Sequence, residues 1–257
     1  RSVTKLGRWI LASGGKRTKG SDMEFNTTRW SIIVASHDSD PGISQKALGE
    51  LCQLYWLPLY SFVRSRVHGR EVAEDLTQSF FVHFLESNGF EKADRKKGNF
   101  RTFMLSCIKN FMVDEWKKGQ AQKRGGGQVR LSLDFDRAER LLTHAADGQR
   151  RAEHAYDYHW AKTIMARALN RVREAYTVHG KEDIFDSLKV YLEESEPPCP
   201  YSEMAVRIDM KEGAVKVAVH RLRKRYRNAL LQEISDTMLL DGDVESEVAY
   251  LISIVSS

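Results

Sequence analysis

The stretch Tyr201–Tyr226, YSEMAVRIDMKEGAVKVAVHRLRKRY, decides the fold. It predicts a short helix, a tight turn and a long second helix with one apolar and one basic face. Met204, Ala205, Ile208 and Met210 cover the first helix and the turn. Val215, Val219, Leu222 and Tyr226 then recur at i, i+4, i+7 and i+11, one stripe of an α-helix. Lys216, His220, Arg223, Lys224 and Arg227 repeat on another face with the same period. Cations aligned on the outward side of the second helix of such a pair suit a phosphate-lined groove. A solvated basic helix of an all-α domain would share that charge pattern. Ala205, Asp209 and Val215 tip the balance toward DNA, because a helix-turn-helix needs a small residue, a turn residue and a packing residue at those places.

The same cationic character recurs upstream. The formal charge of +5 conceals an uneven distribution. Lys92–Arg124 holds ten Lys/Arg against three Asp/Glu, a local +7, and Tyr201–Asn228 holds eight against three, a local +5. Gln232–Ser257 has six acids and no Lys or Arg. Two separated basic segments imply two contacts with a polyanion. A chain of 257 residues, 42% hydrophobic and 29% charged, has room for about two globular domains. No apolar run approaches the roughly 20 residues that span a bilayer. Cys52, Cys107 and Cys199 are scattered without metal-ligand spacing, so a reducing cytoplasm fits and no metal or cofactor is expected.

Arg1–Asp22 is basic and weakly periodic, and Met23 is the expected start, so 1–25 reads as a flexible extension. Helices are expected at Thr27–Ala35 and at Gln45–Arg66, the latter broken or bent near Pro58, with Leu48, Leu51, Tyr55, Leu59 and Phe62 as its buried stripe. Glu71–Glu86 follows, with Leu76, Phe80 and Phe84 inward, and then Arg101–Lys118, crowded with Phe103, Phe111 and Trp116. From Gly119 to about Arg150 the periodicity dissolves into Gly125, Gly126, Gly127 and a polar run containing Asp134, Asp136 and Glu139, which reads as a linker. Helices resume at Arg151–Tyr176 and Asp183–Glu194. The fold class is all-α: a helical domain over 26–118, a linker over 119–150, a helix-turn-helix domain over 151–235 and an acidic tail over 236–257. In that tail Val244, Val248, Leu251 and Val255 repeat at i, i+4, i+7 and i+11, so Asp243–Val255 should form an amphipathic helix that rests on the C-terminal domain or on a partner.

Three segments in this order resemble an RNA polymerase sigma factor of the sigma-70 family, and most closely the compact extracytoplasmic-function (ECF) type. VAEDLTQSFFVHFLE, Val72–Glu86, is similar to the polymerase-docking helix; GNFRTFMLSCIKNFMVDEWKK, Gly98–Lys118, is similar to the helix that melts and reads the −10 element; the helix-turn-helix is similar to the −35 reader. The LSLDF stretch and the long acidic tail further resemble the planctomycete-like subgroup. Asp209 stands where the family has the turn glycine, Ala218 where many relatives carry an arginine, Phe103 where the group has a tryptophan, and Lys211 where a Ser caps the second helix. The resemblance implies promoter-specific transcription initiation, core RNA polymerase (clamp helices and flap) and promoter DNA as partners, an anti-sigma factor or other regulator besides, and no membrane.

Specific residues follow from that frame and from their chemistry. Glu71, Glu74, Asp75 and Gln78 lie on one acidic-polar helix face; the resemblance makes it the polymerase-binding face, where rim charges steer association. In the second segment, cations beside flat rings are what single-stranded DNA needs, with stacking worth roughly 1–3 kcal/mol per base. Lys96, Lys97, Arg101 and Lys117 would hold the backbone, Asn110 would bond an extruded base edge, and the loop residues Asn99 and Phe100 would form its pocket. In the recognition helix Lys216, Val217, His220 and Arg221 are placed for the major groove, with His220 equally suited to a phosphate or to solvent, while Arg223, Lys224 and Arg227 are placed to clamp phosphate. An enzyme is disfavoured: Glu74 and Asp75 are adjacent on a helix and cannot face one site. The rival class is a helix-turn-helix regulator that acts without docking on the polymerase; it leaves the second basic–aromatic segment unexplained.

Overall fold

The computed structural model describes residues 41–87, 89, 99–119, 133–142, 149–193, 199–238 and 243–256, and among them every regular element is helical. The helix expected at Thr27–Ala35, the three glycines at 125–127, and Lys96 and Lys97 lie outside the described residues. The chain divides into two compact units: the described residues of 41–160 with 236–238, and those of 161–235 with 243–256.

In the first unit, α1 (Pro41–Arg64) runs unbroken through Pro58. Of the break or bend expected there, the break does not occur. A proline inside a helix forfeits one backbone bond, but Leu51, Tyr55, Leu59 and Phe62 are all buried on the same face, and that burial outweighs the loss. The Ser61 hydroxyl also donates to the Pro58 carbonyl at 2.7 Å. Helices α2 (Arg70–Glu86) and α3 (Phe100–Gly119) pack beside α1. The buried face of α2 is Ala73, Thr77, Phe80, Phe81 and Phe84; Leu76, expected inward, is only half-buried. Phe100, Met104, Ile108 and Phe111 form the buried stripe of α3.

The expected linker contains a helix, α4 (Phe135–Leu141). The Asp134 carboxylate caps it, accepting from the Arg137 N–H at 2.9 Å. Phe135 is buried against Tyr60 and Trp56, ring centroids 4.9 and 6.0 Å away. Glu139 accepts from the Tyr60 hydroxyl at 2.5 Å and from Arg64 Nε at 3.0 Å. Acids that looked like a solvated run are thus anchors. The long helix α5 (Gln149–Thr177) contributes Ala152, Tyr156 and Trp160 to this unit's core.

In the second unit, Ile164, Ala168, Val172 and Tyr176 of α5 are buried. The single helix expected after it is two, α6 (Glu182–Leu188) and α7 (Val190–Glu193), parted at Lys189. Then come α8 (Tyr201–Arg207), α9 (Glu212–Ser235) and α10 (Val244–Ser256). Val215, Val219, Leu222 and Tyr226 are buried in α9 as their spacing requires. The buried Glu233 carboxylate meets Arg167 at 3.0 Å and Arg171 at 2.9 Å, a pairing that favours one register of α9 on α5.

Candidate nucleic-acid interface

The turn between α8 and α9 sets the recognition helix at its angle. Asp209 has φ 50°, the one non-glycine residue with positive φ among those described. The Met210 N–H donates to the Ala205 carbonyl at 2.9 Å and the Asp209 N–H to the Val206 carbonyl at 3.4 Å. That pair of bonds closes a helix end on a left-handed residue, and Asp tolerates this conformation better than most side chains. Lys211 brings no side-chain oxygen to the start of α9, so only its carbonyl serves there, accepting from Ala214 and Val215 N–H.

Along α9, Lys216, Val217, His220, Arg221 and Lys224 are exposed. Lys216 pairs with Glu212 one turn earlier at 2.6 Å. The two other residues expected to clamp phosphate are engaged elsewhere. Arg223 is half-buried and donates to the Tyr191 carbonyl at 3.2 Å. Arg227 is 12% exposed and donates to both oxygens of Glu245 on α10, at 2.8 and 3.1 Å.

In the first unit, Asn110 and Lys117 are exposed and line one cavity of about 450 Å³ between the end of α2 and α3. Its apolar wall is Phe80, Phe84 and Phe111, and the His83 ring lies 5.6 Å from that of Phe111, tilted by 30°. Gly89 closes one side; a Cβ there would sit 2.5 Å from the Phe84 ring, so the chain approaches that closely only as glycine. His83, Cys107, Asp114 and Lys118 also line the cavity and were not singled out by sequence. Cys107, Asn110, Asp114 and Lys117 follow i, i+3, i+7 and i+10, which would have marked them as one face.

Two residues expected at this site are instead interior. Phe100 is 2% exposed and packs edge-on against Tyr55, centroids 5.3 Å apart. Arg101 is 9% exposed, is paired with Asp157 and lies over the Trp160 ring at 5.1 Å. Its carbonyl accepts from the buried Tyr156 hydroxyl at 2.9 Å. Neither side chain lines the cavity. Asn99 is half-buried, and its carbonyl starts α3 by accepting from the Phe103 N–H at 3.1 Å. Trp116 is 78% exposed and, with Val72, Leu76 and Val113, lines an apolar groove of about 660 Å³ on another flank of α3.

On α2, Glu71 and Asp75 are exposed while Glu74 and Gln78 are half-buried. Arg70 Nε meets Glu74 at 2.5 Å and its terminal nitrogen meets Asp136 of α4 at 2.5 Å. The hydrogen bond from Arg70 holds the Asp136 carboxyl below its usual range. Among the described residues no helix is long and apolar enough to cross a membrane, and no group of three or more His, Cys, Asp or Glu side chains is placed to hold a metal ion.

No curated protein and no solved structure matches this chain. Residues 53–122, spanning α2, α3 and the second half of α1, match the family model described as Sigma-70 region 2. Sigma-70 region 2 binds core RNA polymerase and promoter DNA, and sigma-70 factors initiate transcription without catalysing a reaction themselves. Over those residues the chain is similar to Sigma-70 region 2 of the RNA polymerase sigma-70 family.

Proposed function

We propose that the chain is an ECF-type sigma factor of the planctomycete-like subgroup, with α9 reading the −35 duplex and the α2–α3 cavity taking a base of the melted −10 strand. The single observation that carries this reading is the cavity bordered by Asn110 and Lys117, which lies within the matched residues 53–122. It offers an amide for a base edge, aromatic walls for its faces and a cation for the adjoining phosphate. Lys96 and Lys97 remain assigned to the strand's backbone, and Asn99 to the pocket of the extruded base.

The exposed side chains of α9 divide the second task. Arg221 and Val217 suit base edges, since an arginine can grip guanine with two bonds and a valine can touch a thymine methyl. Lys216, His220 and Lys224 suit phosphates. Glu71, Glu74, Asp75 and Gln78 form the face offered to the polymerase clamp helices, and the second unit would meet the flap. An anti-sigma factor or another regulator would act on the same surfaces, in the cytoplasm.

The test is promoter opening with purified core polymerase. The Asn110→Ala, Lys117→Ala double variant should still form closed promoter complexes but lose permanganate reactivity of unpaired thymines by about tenfold, the equivalent of one base contact. Normal opening by that variant would remove the cavity from the mechanism.

A further inference from the structure

The C-terminal helix meets the basic stripe of α9 at a defined point. Arg227 follows Lys216 by eleven residues and His220 by seven, so it lies on their face, about 16 and 10 Å further along the helix. Glu245, in the first turn of α10, grips Arg227 through both carboxylate oxygens at 2.8 and 3.1 Å. Both bonds come from one terminal nitrogen of Arg227, a charge-assisted contact of the kind that arginine also makes to phosphate oxygens. The Arg227 side chain is 12% exposed, whereas that of Glu245 is 53% exposed, so the acid lies on the solvent side of the pair.

Two features hold Glu245 there. Val248, Leu251 and Ile252 of α10 are buried, and α10 packs on α9. At its start the Asp243 carboxylate accepts from the Ser246 N–H at 3.2 Å and from the Ser246 hydroxyl at 2.5 Å, which fixes where the first turn begins. Apolar burial alone would seat this helix. The ion pair adds a charge aligned with the stripe that α9 offers to DNA.

We propose that Glu245 stands in for a DNA phosphate on Arg227, so that the protein binds indiscriminate duplex weakly until a specific site or polymerase displaces that contact. The proposal rests on the reading of α9 as the duplex reader. It assigns Arg227 as a latent clamp, distinct from the exposed residues Lys216, His220 and Arg221 of the same helix.

Binding of the full chain to a labelled random-sequence duplex, titrated across salt concentrations, tests it. Glu245→Gln keeps the shape of α10 and removes the charge. It should tighten binding roughly three- to tenfold at low salt and steepen the slope of log K against log salt by about 0.9, the increment of one added phosphate contact. Arg227→Ala alone should not tighten random-duplex binding, and the double variant should lose the gain. Unchanged binding by Glu245→Gln, with Arg221→Ala still weakening binding to a promoter duplex, overturns the proposal and leaves the α9 reading standing. A gain that persists in the double variant overturns it as well, because Arg227 is then not the route. If neither wild type nor Glu245→Gln binds any duplex, the α9 reading falls and takes the proposal with it.

Discussion

Helices α3 and α9 are both long, both basic and both carriers of a proposed DNA contact, yet they use their cations in opposite ways. In α9 one stripe of Val215, Val219, Leu222 and Tyr226 is buried, and Lys216, Arg221 and Lys224 stand outside. In α3 two of the cations are committed to the protein itself: Arg101 pairs with Asp157, and Lys109 pairs with Glu153 at 2.5 Å. What α3 presents outward is a cavity on one flank and an apolar groove on another. A helix that enters a duplex groove needs only a charged outer surface. A helix that receives single bases needs recesses, and recesses are built by neighbours that its charges help to hold.

Removing an inward cation of α3 should therefore have the largest effect. Arg101→Ala leaves Asp157 uncompensated in a nearly buried setting and strips the cation from the Trp160 ring, a loss of about 3–5 kcal/mol. Urea unfolding of the variant would measure it. Lys109→Ala, whose pair with Glu153 is more than a third exposed on both sides, should cost less than about 1 kcal/mol. Equal costs for the two would erase the contrast between a supporting and a peripheral cation.

Next come the outward residues of α9, where stability should hold and binding should change. Arg221→Ala should lose about 1–3 kcal/mol of discrimination among duplex sequences. Lys224→Ala should weaken all duplexes nearly alike and flatten the salt slope by about 0.9. Salt titrations on a promoter duplex and a scrambled one separate the two. Identical behaviour would mean that α9 sits in the groove with a different face.

The smallest effect belongs to the turn that aims α9. Asp209→Gly removes the modest strain of a side chain at φ 50° but loosens the unfolded chain. The two terms nearly offset, for a net change within about 1 kcal/mol. A β-branched substitute such as Asp209→Val should instead lower the melting temperature by several degrees, since roughly 1–2 kcal/mol of left-handed strain appears.

The contrast between these helices also explains what was legible. The spacing in α9 is clean because charged residues crowd the positions off the stripe from His220 onward, so periodicity sorts most of the inside from the outside. In α3, aromatic residues occur on several faces, and composition cannot say which of them are covered. Phe100 and Arg101 lead directly into the buried stripe of Met104, Ile108 and Phe111, a signal obscured by placing Phe100 in a loop and starting the helix at Arg101. Trp116 lies off that stripe and ends 78% exposed. Helix α4 escaped notice because seven residues offer one apolar repeat, Phe135 with Ala138, and its hold comes from Tyr60 and Arg64, distant in sequence. At Pro58 the local cost is visible in the chain, whereas the core that offsets it is not.

The double grip of Arg70 on Glu74 and Asp136 has a bearing on any cationic partner of α2. The face written in the sequence has three carboxylates, Glu71, Glu74 and Asp75, but Glu74 is already matched by the guanidinium beside it. Its effective valence is closer to two than to three. Because Arg70 is shared with α4, a movement that drew Asp136 away would leave the guanidinium to Glu74 alone, and one that drew Arg70 with it would expose the third charge. Helix α4 thus holds an electrical control over a surface that it does not itself form.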